Sequence, residues 1–583
     1  SVAPALVDEL IANRIDFDLE SSEGVRKFRH FMEEAADLVV SYGGSLSGEH
    51  GDGQARAELL PRMFGPELVE AFREFKAIWD PDWKMNPGKV VEPYRLDENL
   101  RLGADYDPWR PATHFQFPED HGDFERATLR CVGVGKCRRY EGGVMCPSFR
   151  VTREEEHSTR GRAHLLWEMT RGDVVHGGWR DEAIKESLDL CLACKGCKSD
   201  CPVGVDVATY KAEFLSHYYE GRLRPPNEFV FGNIDLFARV ASHVPGFVNL
   251  ATQLPPFSQI AKFLGDIPQQ RRIPAVAPQT FKSWFARRKP KNMGRKAVVL
   301  WPDTFNNYFR PETAQAAVEV LEAAGFHVLL PEGNLCCGRP LYDIGMLDRA
   351  EEQLLEILDA LLPEIEAGIP VVGLEPSCVS VFRDELVNLF PTDDRAQALA
   401  KQTFVLSEFL EKYAKNFQLP QIRRKALVHG HCHQKSLMKM DSEEALWRRL
   451  GLDFYAPAPG CCGMAGAFGF ENEKYDVSRS IGNLELLPAV RDASPETLII
   501  SNGFSCREQI AQETSRRALH IAEVIQMGLR QLGTAISTEY PERPSVLRQE
   551  EAVRSSMRRA GWGMAGVAAM GALAWAFIHR SHG

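Results

Sequence analysis

Four cysteines and a proline stand within twelve residues, in the stretch CLACKGCKSDCP at 191–202. The spacing C-x2-C-x2-C-x3-C-P presents three thiolates from one tight turn to a [4Fe–4S] cluster and sends the fourth to a second cluster. A zinc site would place two C-x2-C pairs across a longer loop. The run therefore predicts an iron–sulfur domain, and it requires a partner run elsewhere in the chain.

The partner run is CVGVGKCRRYEGGVMCP at 131–147, in which Val134 stands where a second cysteine belongs. Crossed ligation would give one cluster four thiolates, those of Cys146, Cys191, Cys194 and Cys197. The other cluster would receive three, those of Cys131, Cys137 and Cys201. Valine cannot bind iron, so we expect a [3Fe–4S] cluster or a second [4Fe–4S] cluster with a labile iron. A non-cysteine ligand from elsewhere is the alternative. The pattern resembles the iron–sulfur subunit of succinate dehydrogenases.

Composition narrows the class of protein. The 583 residues suffice for several domains, and the formal charge of −11 argues against a nucleic-acid partner, which needs a basic surface. Fourteen cysteines in clustered spacings predict metal ligation in a reducing compartment, hence a cytoplasmic protein. The opening SVAPALVDEL has neither the basic nor the apolar region of a signal peptide, and such a start is typical of a fragment or a processed product.

The stretch AGWGMAGVAAMGALAWAFI at 560–578 contains no charged residue. Its 19 residues would just span a hydrocarbon core of about 30 Å as a helix. Trp562 and Trp575 suit membrane interfaces, and Arg558 and Arg559 would keep the main body on the cytoplasmic side. The sequence thus predicts a membrane anchor at the inner face, with a buried or interfacial helix as the alternative, because the stretch is rich in alanine and glycine.

The chain divides into an N-terminal unit at 1–95, a polar connector at 96–125 and the cysteine runs at 126–225. A proline-rich linker with short helices follows at 226–294. An internal repeat then alternates apolar runs with helical text, which predicts two parallel α/β lobes at 295–420 and 421–530. The expected fold class is α+β multidomain, with a helical two-cluster domain between the N-terminal unit and the lobes.

Each lobe carries a Cys-Cys-Gly motif. Lobe 1 (295–420) has three cysteines: Cys336, Cys337 and Cys378. Lobe 2 (421–530) has four: Cys432, Cys461, Cys462 and Cys506. The pattern resembles the CCG domains of heterodisulfide reductase subunits and of the iron–sulfur subunits of glycolate and lactate oxidases. That resemblance implies a third cluster or thiol redox chemistry in lobe 2. Lobe 1 lacks the leading cysteine, which puts a cluster there in doubt, and buried structural thiols are the alternative.

The N-terminal unit contains GGSLSGEHGDGQAR at 43–56 and MNPGKV at 85–90. These segments resemble the C-terminal domain of FAD-linked oxidases of the vanillyl-alcohol-oxidase superfamily. The resemblance implies that Glu49 binds a divalent metal and that His50 acts as catalytic base or orienter beside the flavin. It also implies flavin contacts from Asn86 and Lys89. The family's FAD-binding domain has no counterpart in this sequence, so the FAD pocket is only partly present. Either the chain is truncated from a longer fusion, or a separate flavin-binding part supplies the rest.

The order of these segments resembles a fusion of the flavin and iron–sulfur parts of a 2-hydroxy-acid dehydrogenase. It implies oxidation of a small hydroxy acid of the D-lactate, glycolate or D-2-hydroxyglutarate class. Electrons would leave through the clusters to a quinone or another acceptor. Two alternatives stay open: an iron–sulfur electron-transfer subunit without its own substrate site, and a thiol redox protein like heterodisulfide reductase.

Overall fold

The computed structural model describes residues 17–458, 460–530 and 539–580, with side chains up to residue 563. The chain forms two compact units, residues 1–108 and 109–583. Unit 1 holds the N-terminal segment, and unit 2 holds both cysteine runs and both lobes. Each unit is described by itself.

Unit 1 is built on two long helices, Ser22–Ser41 and Leu60–Trp79. The second helix is bent where Gly65 takes a positive φ of 76° before Pro66, which is a combination that interrupts helical hydrogen bonding. Arg29 joins the first helix to the rest of the unit through Glu58 at 2.6 Å and Asp97 at 2.9 Å. The glycine-rich segment 43–56 connects the two helices.

The cysteine runs lie among short helices: Phe124–Leu129, Pro147–Thr152, Thr159–Arg171, Glu182–Asp189, Gly196–Asp200 and Val207–Tyr218. The predicted connector at 96–125 is more ordered than its polar composition suggested. Phe115, Phe117 and Phe124 are buried in the core of unit 2. Phe124 packs edge-on against Tyr210, whose hydroxyl donates to the carbonyl of Ala127 at 2.6 Å. Residues from 109 onward are therefore part of this domain.

The lobes contain parallel sheets, which confirms the predicted alternation of strands and helices. Lobe 1 has strands β1 (Ala297–Trp301), β2 (His327–Leu329), β3 (Val371–Gly373) and β4 (Thr403–Val405) in the order β2-β1-β3-β4. Lobe 2 has β5 (Lys425–Val428), β6 (Asp453–Tyr455) and β7 (Leu498–Ile500) in the order β6-β5-β7. The sequence repeat did not reveal β4, which makes the two sheets unequal.

Helices cover these sheets and complete one shared core. The helices of lobe 1 are Thr304–Tyr308, Pro311–Ala323, Arg339–Asp343, Leu347–Ala360, Leu362–Glu366, Pro376–Ser380, the π-helix Val381–Glu385, Leu386–Leu389, Asp394–Gln402 and Leu406–Tyr413. Those of lobe 2 are the π-helix Gln434–Met438, Asp441–Arg449, Tyr475–Gly482, Leu486–Asp492, Phe504–Glu513 and Ile521–Arg530. Leu300 and Val372 of one sheet share an apolar cluster with Val428 and Ile500 of the other.

The predicted linker consists of short helices: Pro226–Gly232, Ile234–Ala241, Pro245–Gln253, Phe257–Leu264 and Phe281–Arg287. Helix Arg543–Arg580 packs against Pro245–Gln253. Most of the predicted anchor at 560–578 lies in the part of this helix whose side chains fall outside the described residues. Among the residues that are described, no helix is both long enough and apolar enough to cross a membrane.

A cavity of about 1070 Å³ lies between helices Pro311–Ala323, Ile521–Arg530 and Arg543–Arg580. Arginines line much of it, including Arg287, Arg548 and Arg559. Glu312 also lines the cavity, and burial raises the pKa of its carboxyl to about 7, assisted by the nearby Glu523. The neighbouring Arg310 opposes this shift without cancelling it.

Glu312 should make the stability of unit 2 depend on pH. In the unfolded chain the carboxyl loses its proton near its ordinary value of 4.5, whereas the folded protein keeps it until about 7. Between these values the folded state binds more protons, so the free energy of unfolding falls as pH rises. We expect Glu312→Gln to remove this fall, as measured by denaturant unfolding from pH 4.5 to 8. The exposed Glu366→Gln is the control, and identical pH profiles for Glu312→Gln and wild type would contradict the assignment.

Candidate metal centres

The cysteines of the first run lie around the start of helix Thr159–Arg171. The sulfur of Cys146 lies 2.9 Å from both the backbone nitrogen and the hydroxyl of Thr159. A hydrogen bond with Cys146 lowers the pKa of the Cys137 thiol to about 6 despite burial. A hydrogen bond with Glu155 raises the pKa of the Arg160 guanidinium, and the nearby Cys137 and Cys131 add to this rise. Burial and the contact with Cys137 raise the pKa of Cys146 well above its usual value, so Cys137 is the member of this pair that is held toward the thiolate, the form in which cysteine binds iron.

The position of Cys146 differs from the crossed arrangement. Crossed ligation would group Cys146 with the second run, but the structure places its sulfur against Cys137 of its own run. The insertion RRYEGG at 138–143 lengthens the loop, so that the chain folds back over Cys137 before the helix Pro147–Thr152 begins. Val134, which precedes this insertion, is 59% exposed. The geometry brings the three cysteines of the first run together.

The second run forms a tight loop with unusual backbone angles. Ala193 and Lys195 take positive φ values of 48° and 58°, which are sterically costly for residues other than glycine. These two residues lie between the cysteines of the run, Ala193 directly before Cys194 and Lys195 directly after it. Burial, with Asp206 nearby, raises the pKa of the Cys197 thiol to about 12. A metal cation would offset this burial cost by binding the thiolate.

Lys195 fixes this loop through a buried ion cluster. Its ammonium is 1% exposed and lies 2.9 Å from Asp206, 2.7 Å from Asp384 and 2.7 Å from the hydroxyl of Thr209. Burial alone would lower the pKa of Lys195, but Asp206 and Asp384 outweigh it and hold the pKa well above its usual value. Because Asp384 belongs to the π-helix Val381–Glu385, the cluster ties the cysteine loop to lobe 1.

The four cysteines of lobe 2 form one chain of sulfur contacts, from Cys432 through Cys461 and Cys462 to Cys506. Hydrogen bonds with Cys461 and Cys506 hold the pKa of Cys462 well below its usual value. All four cysteines are buried. The structure therefore brings together the four residues that the sequence proposed for a third metal centre.

Lobe 1 shows what replaces its missing cysteine. Leu300 pairs with Val372 in one sheet, and Val428 pairs with Ile500 in the other. Cys378 and Cys506 each follow the second partner by six residues (378 − 372 and 506 − 500). Thr304 and Cys432 each follow the first partner by four (304 − 300 and 432 − 428). Thr304 thus occupies the position of Cys432.

Thr304 makes a hydrogen bond to a neighbouring cysteine, as Cys432 does, but it has no thiolate with which to bind a metal. It donates to the sulfur of Cys336 at 3.3 Å, where lobe 2 has a contact between Cys432 and Cys461. The sulfurs of Cys337 and Cys378 lie 2.9 Å apart. A hydroxyl is a harder, weaker ligand for thiophilic metals than a thiolate. Lobe 1 therefore retains three thiols without the fourth soft ligand.

The second run and lobe 2 meet directly within unit 2. Cys194, Cys432 and Cys461 share one apolar cluster. The carbonyl of Ala193 accepts hydrogen bonds from the lobes on both sides, from Arg339 of lobe 1 at 3.4 Å and from His433 of lobe 2 at 3.0 Å. The two candidate centres are therefore neighbours.

The site residues predicted in unit 1 are largely exposed to solvent. Glu49 and His50 lie 3.3 Å apart, and their side chains are 80% and 85% exposed. Asn86 is exposed and has a positive φ of 49°, and Lys89 donates a hydrogen bond to Gln54. The carboxylate and the imidazole can reach one ligand together. Unit 1 by itself does not bury them, so the walls of a closed substrate site must come from other residues.

Sequence reasoning missed three residues that organise the centres: Lys195, Thr304 and His433. Lys195 lies between the predicted ligands Cys194 and Cys197, and the cysteine spacing assigns no role to it. A lysine in so short a loop, together with the acidic residues Asp384 and Glu385 in an apolar helix, was the available signal. His433 follows Cys432 directly, but its contact with Ala193 is 240 residues away in sequence.

Three family models match the chain and define its class. Residues 8–90 match the C-terminal domain of FAD linked oxidases, residues 127–205 match a 4Fe-4S dicluster domain, and residues 303–383 match a cysteine-rich domain of the CCG type. The chain is an iron–sulfur protein with cysteine-rich lobes, joined to a flavin-oxidase domain.

Three relatives align with large or smaller parts of this chain. D-2-hydroxyglutarate dehydrogenase of Pseudomonas putida is 27% identical over 85% of this chain and 52% of its own length. The glycolate oxidase iron-sulfur subunit of Escherichia coli is 23% identical over 68% of this chain and 93% of its own. Lactate utilization protein A of Bacillus velezensis is 32% identical over 39% of this chain and 98% of its own.

The last match covers almost the whole of its relative, so the chain belongs to the family of lactate utilization protein A over the matching 39% of its length. The chain spans about half the length of the D-2-hydroxyglutarate dehydrogenases that it matches. The suggested combination of a flavin-oxidase C-terminal domain with iron–sulfur and CCG domains is confirmed.

Replacing Lys195 by methionine should destabilise unit 2 strongly. The substitution removes the more buried of the two cations beside Asp206 and Asp384 and leaves only the partly exposed Lys198, and breaking a buried pair typically costs about 3–5 kcal/mol. Anaerobic denaturant unfolding, followed by circular dichroism, measures the loss. Lys185→Met is the control, because the Lys185 pair with Asp189 is long and partly exposed and should cost below about 1 kcal/mol. Equal unfolding midpoints for the two variants would contradict the role of Lys195.

Proposed function

We propose that this chain is part of an FAD- and iron–sulfur-dependent 2-hydroxy-acid dehydrogenase that passes electrons to a quinone or another non-nicotinamide acceptor. The observation that carries the proposal is the domain order within one chain, which the D-2-hydroxyglutarate dehydrogenases share over 85% of its length. The substrate would be a small hydroxy acid of the D-2-hydroxyglutarate, D-lactate or glycolate class.

Glu49 and His50 would act at the substrate end. Oxidation of a secondary alcohol requires removal of the hydroxyl proton, and a neutral imidazole can accept it. A divalent metal on the Glu49 carboxylate would polarise the substrate oxygens. When bound, FAD would accept the hydride of the alcohol carbon, and the iron–sulfur centres would accept its electrons one at a time. Asn86 and Lys89 would supply polar contacts to the flavin.

The packing of unit 2 supports an order for the centres. Cys194 of the second run shares an apolar cluster with Cys432 and Cys461 of lobe 2, and Cys197 shares a larger one with Cys337 and Cys378 of lobe 1. Lobe 1 offers three thiols and Thr304 instead. We therefore place lobe 2, and not lobe 1, on the path toward the acceptor.

The two runs supply seven cysteines, whereas two complete [4Fe–4S] clusters need eight. This deficit holds whichever run Cys146 serves. One cluster would then have three iron atoms or a labile fourth iron, unless a non-cysteine residue completes it. The two centres would differ in potential, since charge and ligand number set the potential of a cluster.

A second candidate function is electron transfer without a substrate site. The exposure of Glu49 and His50 favours it, because catalytic pairs normally lie in enclosed sites. A thiol redox function is the third candidate, favoured by the 2.9 Å contact of Cys337 with Cys378. The substitutions below separate the first two candidates.

Glu49→Gln should abolish most hydroxy-acid oxidation in the protein assembled with a flavin-binding part. Losing the metal ligand and the polarised hydroxyl should reduce kcat/KM for D-2-hydroxyglutarate, D-lactate or glycolate about 100-fold or more. Dye-linked oxidation of these acids measures the effect, and flavin absorbance checks that the cofactor stays bound. Glu67→Gln, an exposed change on the following helix, is the control. Full activity of Glu49→Gln with bound flavin would support the electron-transfer function instead.

Val134→Cys should complete the deficient cluster. The oxidised, anaerobically purified protein is expected to show the electron paramagnetic resonance signal of a three-iron cluster, and an eighth thiolate should replace it by a second reduced [4Fe–4S] signal. Val132→Cys, similarly exposed but outside the ligand position, should leave the spectrum unchanged. Two ordinary [4Fe–4S] signals in the wild-type protein would show that another residue already binds the fourth iron.

A further inference from the structure

His433 has one ring nitrogen engaged and one without a partner. The imidazole is buried, and its Nε2 lies 3.0 Å from the carbonyl of Ala193. A carbonyl only accepts, so Nε2 carries the proton and donates it. The other nitrogen, Nδ1, is then an unprotonated lone pair. Within the part of the chain that the structure describes, no hydrogen-bond donor reaches it.

A buried lone pair of this kind needs an explanation. Leaving a polar atom unpaired in a protein interior costs free energy that folding normally avoids. The neighbouring atoms suggest what would satisfy it. One ligand atom each from His431, Cys432 and His433 lie within 4.8 Å of one another, and all three residues are buried. His433 therefore belongs to a group of metal-ligating side chains that includes a predicted cysteine ligand.

His431 differs from His433 in its bonding. Its Nδ1 accepts the backbone N–H of His433 at 3.3 Å, so its proton resides on Nε2, which lies 3.8 Å from the carboxylate of Glu375. Its Nδ1 is thus occupied, and its Nε2, which carries the proton, offers no lone pair to a metal. His520 is a second buried histidine of lobe 2 with both nitrogens engaged, by the carbonyl of Leu374 and the N–H of Ala522. Among the buried histidines of lobe 2 in the described part of the chain, His429 and His433 each have a ring nitrogen without a partner, and of these two only His433 belongs to the group with Cys432.

We propose that His433 binds, through Nδ1, the metal centre that the cysteines of lobe 2 hold. Thiolate and imidazole together suit an iron–sulfur cluster or Zn²⁺. A metal-bound histidine usually donates its other ring N–H to a carboxylate or a backbone carbonyl, which fixes the ring orientation. The bond from His433 to Ala193 is such a contact. This inference rests on the proposed metal centre of lobe 2 and not on the proposed substrate.

His433 also connects two centres. Ala193 precedes Cys194 of the second run, and His433 follows Cys432 of lobe 2. The imidazole of His433 thus contacts the backbone of the second cysteine run and lies beside Cys432 of lobe 2. Replacing thiolate by imidazole raises the potential of an iron–sulfur cluster, because it removes negative charge. Where His433 takes the place of one of the four thiolates, the lobe 2 centre would be a better electron acceptor than an all-cysteine centre.

The direct test labels the ligand without changing the protein. The full chain is produced anaerobically with either natural or ¹⁵N-histidine, and iron and zinc are counted per chain. Pulsed electron paramagnetic resonance then examines each paramagnetic centre during stepwise reduction, and X-ray absorption at the zinc edge covers a zinc-bound form. We expect a strongly coupled nitrogen in one centre, with the coupling pattern of ¹⁵N after labelling, or a nitrogen ligand on zinc.

Variants assign that nitrogen. His433→Ala should remove the coupling and lower the metal content of the chain, whereas His520→Gln should leave both unchanged. Cys432→Ser should perturb the same signal, which places it in lobe 2. The inference fails if the labelled wild-type protein shows no histidine nitrogen on any iron or zinc, or if the coupling persists in His433→Ala. Because no readout uses hydroxy-acid oxidation, such a result would leave the proposed function standing.

Discussion

The ammonium of Lys195 is the contact on which the arrangement of unit 2 depends. It lies in the middle of the second cysteine run and draws together Asp206, from the start of helix Val207–Tyr218, and Asp384 of lobe 1. A buried charge tolerates few geometries, because each displacement leaves an opposite charge without compensation. Apolar packing alone would permit the cysteine loop to slide. The ion cluster instead holds the loop against lobe 1, while His433 meets it from lobe 2.

The two lobes share a sheet plan but not a chemistry. Their central strands pair in the same register with their neighbours, so corresponding residues can be assigned by counting along the strands. Counting along the strands places Thr304 against Cys432 and Phe305 against His433, so lobe 1 has a hydroxyl in place of the thiol and a phenyl ring in place of the imidazole. Such a lobe can keep its packing, since threonine and cysteine are similar in size. It would bind thiophilic metals far less strongly.

Much of this architecture could be predicted from the sequence, because cysteine spacing and apolar periodicity are local properties. The parallel lobes and the grouping of the lobe 2 cysteines followed from them. The burial of Phe115 and Phe117 did not, because a segment with little periodicity gives no sign of the surface that will cover it. The contacts of Cys146, Lys195 and His433 depend on how separate elements dock. An insertion such as RRYEGG changes the direction of the chain in ways that spacing rules do not capture.

The substitution at Thr304 has a consequence for how the protein is assembled in the cell. Lobe 1 can reach its final structure with apolar packing and hydrogen bonds, before any metal arrives. Cysteines must be thiolates to bind iron, and lobe 2 and the cysteine runs bury theirs. A bound metal would offset the buried negative charge, so the folding of these regions is coupled to metal delivery. Iron starvation should therefore leave a chain with one mature lobe and an adjoining immature region. Proteases and chaperones would recognise such a partly finished chain, which makes the supply of iron a determinant of how much of the protein accumulates.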